Sequence, residues 1–466
     1  MFELTRGSTL PLVDQIVERL GRLIQHGQLA EGARLPSIRK LAKLIGASPF
    51  TVVDAYDRLV ARGIIESRAG RGFFVSHRRQ SVVAVIEASP DPGASPVSLA
   101  RAVLSRSSDI IAAGSGFLPE NWYNEVASSS VLARLSPSRR AQAWTACPPH
   151  GLTELREQLS NKLVQQGIAA SPANIVTTAG ATQAFDLIAR ILLAPGDAVL
   201  VEDPSYFVLF EQLRAHHARL IPIPRRPDGP DLDALEAACR AHRPRAFFLQ
   251  TLLHNPTGSN IDPARCHRIL SLAEQFGFAI VEDDIYGDLH EGSAVRLAQI
   301  DGLRHVIYIG SFTKLIGPAL RVGFVATDTA LVSQLVERKV LSTLSGSSLL
   351  EAFVSEVLGS GRYRRHVQQV RTRLVRMRTD SQRALNSAGV EFPTTTGEGI
   401  FLWGRLPGAA NLDSIVSRAR DRSILLAKGA LFSPNGGPSQ WMRFNAAYST
   451  APELVLYLTE SLKTAA

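Results

Sequence analysis

The chain has 466 residues and a formal net charge of +9, a length that favours two or three domains and can bury a large core. No run approaches the roughly 18 apolar residues of a membrane span, and Met1-Phe2-Glu3-Leu4-Thr5-Arg6 lacks the apolar core of a signal peptide. Cys147, Cys239 and Cys266 have no metal-like spacing, and their odd number argues against a disulfide framework, so no metal and a cytoplasmic location are expected. The charge is uneven: residues 1–79 hold 13 Lys and Arg against 7 Asp and Glu, a surplus of +6 that leaves +3 for the other 387. A polyanionic partner for the N-terminal part follows.

Leu12, Ile16, Leu20, Leu23 and Ile24 recur at helical spacing and predict an amphipathic helix ending near Gly27. Pro36-Ser37 opens a short helix from Ile38 to Ile45, Gly46-Ala47 turns the chain, and Ser48 caps a third helix from Pro49 to Arg62. This is the helix-turn-helix pattern. Ile64-Ile65-Glu66 and Phe73-Phe74-Val75 then alternate as two small strands around Arg68-Ala69-Gly70-Arg71-Gly72, a basic wing. On double-stranded DNA, Ser48 and Thr51 would face the major groove, Arg34, Ser37, Arg39 and Lys40 would grip phosphates, and Arg71 would reach the minor groove. Any one of these is equally a solvated surface group; their order and spacing as a set are more specific.

The set Leu35-Pro36-Ser37-Ile38-Arg39-Lys40-Leu41-Ala42, Ser48-Pro49-Phe50-Thr51-Val52, Ala55-Tyr56 and Gly70-Arg71-Gly72-Phe73-Phe74-Val75 resembles the winged-helix head of GntR-type bacterial regulators. The family pattern has Arg after the cap serine, where this chain has Pro49. Base readout is therefore expected to rest on Phe50, Thr51 and the wing. The head is assigned to residues 1–78. Residues 79–110, with Pro, Gly and Ser concentrated in Ala88-Ser89-Pro90-Asp91-Pro92-Gly93-Ala94-Ser95-Pro96, are expected to form a flexible tether to a body of residues 111–466.

In the body, short apolar runs alternate with helical stretches at 174–178, 198–202, 246–250, 279–283 and 306–310. Near-continuous apolar strands between helices predict an α/β fold with a mostly parallel sheet, whose ligands bind beyond the carboxyl ends of the strands. Candidate chemistry sits at those ends. Ala179-Gly180-Ala181-Thr182 opens a helix, whose N–H groups suit a phosphate. Tyr206 offers a ring to stack on a flat cofactor, and Asn255 a donor to a phenolate oxygen. Asp283, followed by Tyr286, offers a carboxylate that keeps a pyridinium protonated. Ser311, Thr313, Lys314 and Arg321 supply two hydroxyls, a primary amine and a guanidinium, groups suited to a phosphate and an aldehyde together. Singly, these are also a tight turn, a helix cap and a surface lysine; the ordered series at successive strand ends is what sets them apart.

That series resembles the fold-type I aminotransferases over residues 110–455, and the resemblance implies pyridoxal 5'-phosphate as cofactor. It implies Lys314 as the catalytic Schiff-base lysine and Asp283 as the partner of the pyridine nitrogen. Asn255 and Tyr286 would bind the ring oxygen, and Tyr206 would stack on the ring. Ala181, Thr182, Ser311, Thr313 and Arg321 would hold the phosphate, and Arg443 would receive the carboxylate of a substrate or effector, with a structural ion pair as the other reading. Where family members often place a cross-subunit Tyr, this chain has Ala146; Trp144 reads as a core residue first and a replacement candidate second. Residues 359–390, including Gly361, Tyr363, His366, Arg371 and Arg373, read as a long charged helix into a small α+β C-terminal subdomain, with 397–403 as one of its strands.

Head, tether and body in this order resemble the MocR branch of the GntR regulators. The resemblance implies a homodimer, head-to-tail with exchanged heads, on two DNA half-sites, with an amino compound or the cofactor itself as effector. An active aminotransferase with the head as an accessory, and a body that is only a dimerisation scaffold, are the competing expectations.

Overall fold

The computed structural model describes residues 10–25, 27–76, 95–105, 109–135, 141, 144–292, 295–392, 398–408 and 411–463. The chain divides into two compact units, residues 1–89 and 90–466.

In the first unit, helices α1 (Leu12–Gln25), α2 (Ile38–Ile45) and α3 (Pro49–Ala61) are followed by β1 (Ile65–Arg68) and β2 (Gly72–Val75), paired antiparallel from Ile65↔Val75 to Arg68↔Gly72. The expected signals act as written. Ser37 caps α2 by accepting from the Lys40 N–H, Gly46 ends it in the left-handed region at φ 66°, and Ser48 caps α3 by accepting from the Thr51 N–H. Ile16, Leu20, Leu41, Val52, Tyr56 and Leu59 form the core. The Tyr56 hydroxyl donates to the Pro36 carbonyl at 2.8 Å, tying α3 to the entry of α2.

The second unit holds an eight-stranded sheet in the order β3-β10-β9-β8-β7-β4-β5-β6. Its strands are β3 (Ile175–Thr178), β4 (Ala198–Asp203), β5 (Arg219–Arg226), β6 (Gly229–Pro230), β7 (Ala246–Leu249), β8 (Ala279–Asp283), β9 (Val306–Ser311) and β10 (Gly323–Ala326). From β9 through β8, β7 and β4 to β5 the pairs are parallel, whereas β10 runs antiparallel to both β3 and β9. Alternate strand residues enter different cores: Leu200, Phe247, Ile280 and Tyr308 join one, Val201, Phe248, Val281 and Ile309 the other. Both faces are covered, which is why these strands read as unbroken apolar runs.

A three-stranded antiparallel sheet in the order β11-β13-β12, from β11 (Phe401–Arg405), β12 (Ala427–Lys428) and β13 (Trp441–Asn445), forms the small subdomain. The expected strand over 397–403 starts only at Phe401; residues 393–397 lie outside those described. The charged stretch is helix Arg362–Ser387. One stripe of it, Tyr363, His366, Val367, Val370 and Leu374, is buried at helical spacing. Of the expected tether, residues 79–94 lie outside the description, but Pro96–Leu104 is a helix rather than extended chain. Ser95 caps it and Leu99 is fully buried, enough apolar contact to order a segment whose composition suggests a linker.

Asp288, in the turn after β8, holds two long helices to the sheet. Its carboxylate accepts from Lys162 Nζ at 2.7 Å, from Gln166 Nε2 at 3.0 Å and from the Tyr363 hydroxyl, and its carbonyl accepts from Arg371 Nε at 2.9 Å. Burial alone would raise its pKa, but Lys162 and Tyr363 hold the carboxyl below the ordinary range. A carboxyl depressed in this way stabilises the fold above the ordinary carboxylate range, and that contribution is lost as pH falls through its folded pKa. Asp288→Ala is expected to cost about 3 kcal/mol in denaturant unfolding at neutral pH. The gap from the parent chain should narrow as pH is lowered towards about 3.

Candidate functional site

Ten of the residues singled out in the body, Ala181, Thr182, Tyr206, Asn255, Tyr286, Ser311, Thr313, Lys314, Arg321 and Arg443, line one cavity of ≈ 370 Å³ beyond the carboxyl ends of the strands. Asp283 stands at the end of β8 and acts electrostatically on Lys314.

One end of the cavity is an anion cup. Gly180, at φ 79°, turns the chain from β3 into helix Ala181–Leu192, whose first-turn N–H groups have no carbonyl to reach within the helix. A Cβ on Gly180 would lie 3.0 Å from Arg321 Nη2 and 3.2 Å from Thr313 Oγ1, so only glycine lets the turn, the guanidinium and the hydroxyl converge. Arg321 donates to the Ala179 carbonyl at 3.0 Å, and Ser311 Oγ accepts from the Thr313 N–H at 3.2 Å. The buried Thr313 Oγ1 has no hydrogen-bond partner, an orphan that a phosphate oxygen would satisfy.

The middle holds the amine. Burial, Arg443 and Arg321 lower the Lys314 pKa to about 7, with Asp283 opposing. Its Nζ lies 3.7 Å from the centre of the Phe117 ring. A Cβ on Gly116 would lie 3.8 Å from that Nζ, and one on Gly114 would meet the Leu426 carbonyl carbon at 2.5 Å. The short Gly114-Ser115-Gly116 segment, which carries no signal as a sequence, is thus the close-approach wall of the cavity. Behind the amine, burial pushes the Asp283 carboxyl up to about 7, eased by bonds from the Ile285 N–H at 3.3 Å and Gln250 Nε2 at 2.8 Å. Gln250 also accepts from the Asn255 N–H at 2.7 Å and donates its own N–H to Glu202 at 2.8 Å. It is a positioning residue that the sequence analysis did not single out, because a glutamine closing a strand carries no signal by itself.

At the far end lies Arg443, 2 % exposed, donating from Nη1 to Asn255 Oδ1 at 2.7 Å and from Nη2 to the Gly114 carbonyl at 2.5 Å. Its Nε has no partner, and its charge rests on Phe401 and Phe432, with Cζ at 4.7 and 4.8 Å from their ring centres. Burial lowers its pKa to about 10. No carboxylate pairs with it among the described residues, so the structural ion pair is not what this side chain makes. Asn445, also not anticipated, holds the opposite wall by donating to the Ser115 and Phe117 carbonyls at 3.0 and 2.8 Å. Apolar side chains of Ala100, Val103 and Leu104, from the helix after the tether, complete the lining. Trp144 is 85 % exposed, not a core residue, and Ala146 is exposed as well.

In the head, Arg34, Arg39, Lys40 and Arg71 are exposed and form no ion pair with another described residue, whereas Arg22, Arg58 and Arg68 are matched to Glu18, Asp54 and Glu66. Arg34 runs beside the wing, its Nε 3.8 Å from where a Cβ on Gly72 would stand. The Ser37 hydroxyl oxygen accepts from the Lys40 N–H in the α2 cap at 3.3 Å. The Ser48 and Thr51 hydroxyls bond each other at 2.8 Å, so one of their two hydroxyl protons is used within the helix cap. Beside them Phe50 is 87 % exposed.

The fit to a pyridoxal phosphate is good: an anion cup with an unsatisfied hydroxyl, an amine of lowered pKa and a buried carboxylate line up in one cavity.

Residues 118–461 match the aminotransferase class I and II family, and residues 12–75 match the bacterial regulatory proteins of the gntR family. An uncharacterized HTH-type transcriptional regulator of Escherichia coli, YdcR, is 29% identical over 93% of this chain and 94% of its own. A 2-aminoadipate transaminase of Thermus thermophilus is 32% identical over 71% of this chain and 83% of its own. Among solved structures, the α-aminoadipate aminotransferase LysN of Thermus thermophilus, complexed with N-(5'-phosphopyridoxyl)-L-leucine, superposes with a TM-score of 0.72 at 27% identity, covering 81% of this chain and 97% of that one. The chain belongs to the class I and II aminotransferase family through its body, and with a GntR-type helix-turn-helix head in front of that body it has the architecture of the MocR-type regulators.

Proposed function

We propose that the protein is a cytoplasmic transcriptional regulator that holds pyridoxal 5'-phosphate in the body's cavity and senses an amino compound there. One observation carries the reading. A single chain has a GntR-type head with unpaired basic side chains and a cavity where an amine, an anion cup and an unpaired guanidinium converge. In this reading residues 1–78 are the head and 111–466 the effector-binding and dimerisation body. The protein acts as a homodimer with heads exchanged head-to-tail over two half-sites of a double-stranded operator. The exposed Trp144 beside Ala146 suits burial against a second copy.

Bound there, pyridoxal phosphate supplies an aldehyde electrophile and an electron-accepting ring. The first-turn N–H groups at Ala181 and Thr182, the hydroxyls of Ser311 and Thr313, and Arg321 would hold its phosphate. Tyr206 would pack on its ring, Asn255 and Tyr286 would bind its ring oxygen, and Asp283 would hold a proton on its nitrogen. Lys314, with a pKa of about 7, is substantially neutral at physiological pH, the form in which an amine is a nucleophile. Arg443 receives the carboxylate of an amino acid effector in a charge-assisted pair. That receptor favours an amino acid over the cofactor itself as the signal. Helix Pro96–Leu104 lines the cavity and continues into the tether, which gives effector binding a route toward the head. The effector must bind the two head geometries with different affinity, since equal affinity shifts nothing.

A second reading, an active aminotransferase with an accessory head, has its own support in the 32% identity to a transaminase. Incubating the chain with amino acids and an α-keto acid acceptor separates the two. Stoichiometric consumption fits a sensor, and many turnovers overturn it.

Lys314→Ala should lose the absorbance of the covalently held cofactor and any amino acid effect in mobility shifts on the DNA upstream of the gene. Uptake of pyridoxal phosphate, followed by absorbance, should slow about fivefold between pH 7 and pH 6 as Lys314 takes up a proton. Arg443→Gln should keep the cofactor but weaken the amino acid's effect on operator binding by about tenfold or more. An unchanged response would remove Arg443 from the reading.

A further inference from the structure

A second cavity, of ≈ 470 Å³, lies between the large and small sheets of the body. From the large sheet it takes Asp203, at the end of β4, and Arg225 and Arg226, at the end of β5. From the small sheet it takes Trp403 of β11 and Trp441 of β13. The rings of Trp403 and Trp441 stack at 5.7 Å with an interplanar angle of 5°, and Trp403 abuts the edge of Phe432 at 5.6 Å. The indoles are therefore fixed in place. Gly429 keeps the adjoining loop tight against β13, since a Cβ there would stand 2.5 Å from Ser439 Oγ and 2.7 Å from the Trp441 carbonyl.

The charges in this wall are unequally matched. Arg225 pairs with Glu202, both fully buried, and Arg226 pairs with Asp231 at 2.9 Å. Asp203 receives only the Ser433 hydroxyl, at 3.1 Å, and has no ion pair with a described residue. Its burial raises the carboxyl's pKa, a cost that a cationic partner would relieve. Indole faces beside an unpaired carboxylate are the chemistry that recognises an organic cation.

Trp441 and Arg443 stand two residues apart on β13, and Trp403 is the cross-strand partner of Arg443. All three lie on one face of the small sheet. The buried Phe432 packs against both Trp403 and Arg443. The two cavities thus share a wall but differ in what they leave unmatched: in one a guanidinium and an amine, in the other a carboxylate beside indoles, its two guanidiniums being paired with Glu202 and Asp231.

We propose that this cleft is a second ligand site, for a small organic cation that stacks on Trp441 and pairs with Asp203, distinct from the Lys314 cavity. The ligand would touch both sheets at once.

The test is isothermal titration of the full chain, loaded with pyridoxal phosphate, with benzyltrimethylammonium and with benzenesulfonate as the anionic control. The quaternary ammonium has no N–H and cannot condense with an aldehyde, so a failure of the Lys314 reading would not mimic failure here. The cation should bind and the sulfonate should not. Asp203→Asn and Trp441→Leu should each weaken the cation's Kd about tenfold, while Trp441→Phe keeps most of the affinity. A far-ultraviolet circular dichroism spectrum and thermal transition equal to the parent's, together with equal cofactor absorbance, certify that each variant is folded. No binding of the cation, equal binding of both probes, or an unchanged Kd in folded Asp203→Asn overturns the proposal. Should Asp203→Asn lose the cofactor absorbance, the two Trp441 variants decide alone, and equal affinity in Trp441→Leu and the parent sinks it.

Discussion

The anion cup depends on one antiparallel strand. β10 is hydrogen-bonded on both sides, and its first residue, Gly323, stands opposite Thr178 of β3 and Ser311 of β9. A parallel strand would bring its carboxyl end to this edge of the sheet; the antiparallel one brings its start. Arg321, two residues earlier, is thereby delivered between the turn after β3 and the hydroxyls after β9. The fit leaves no room for a side chain, since a Cβ on Gly323 would lie 2.9 Å from both the Gly180 Cα and the Gly310 carbonyl oxygen. Arg321 itself is held in the left-handed region at φ 45°, a conformation that costs a non-glycine residue energy and that the surrounding pairing enforces. The convergence of Arg321, the Gly180 turn and the Thr313 hydroxyl is thus a property of sheet topology before it is a property of any side chain.

The charges around the amine follow a similar logic. Arg225, Glu202, Gln250 and Asp283 form a buried relay from the sheet edge to the cavity, in which each polar group is matched to the next. Such a relay contributes little net stability, because desolvation offsets the pairing. What it fixes is position: Asp283 cannot turn away without leaving the Gln250 amide unsatisfied. Lys314 and Arg443 are treated in the opposite way. Neither is given a bonded carboxylate, and the penalty of burial is left standing, as the lowered pKa of each records. Unmatched buried basic groups are kept where a ligand's anionic or electrophilic group completes them.

Much of this was legible in sequence, and the gaps have physical causes. Strands β3, β4, β7, β8 and β9 and the helix-turn-helix were readable because apolar runs and cap residues are local signals, and Ser37, Gly46 and Ser48 act as their types dictate. β5 was missed because Pro222 and Pro224 break its pattern, which an outer position in the sheet tolerates. β10 was missed because four residues carry no period; Arg321 was singled out for its guanidinium, without the strand that explains its position. Helix Pro96–Leu104 was read as tether because the proline and serine that suggest a linker here serve as first-turn residue and cap. Trp144 was expected inside on the strength of residue type, but its neighbours Thr145 and Ala146 are exposed with it. Gln250 and Asn445 were invisible because their work is to hold other groups, which only three-dimensional contact reveals.

The same helix bears on how a small ligand could govern a large movement. Moving a two-state equilibrium from 1:99 to 99:1 takes about 5.5 kcal/mol of differential binding. A charge-assisted hydrogen bond contributes about 1.5–3 kcal/mol, so the Arg443 contact in one cavity falls short of a complete switch by itself. Two cavities in a dimer that switches as a unit would double the available difference and bring it into range. Part of the coupling can also be apolar, because Ala100, Val103 and Leu104 present their side chains to the cavity on a helix that joins the tether. Leu104 is 71 % exposed, so an effector that buries it gains roughly the free energy of covering an aliphatic side chain. A ligand that engaged only the anion cup and Lys314 would leave this helix untouched. On these magnitudes, an effector whose own side chain rested on Pro96–Leu104 would supply a larger part of the difference such a switch requires than the Arg443 contact alone.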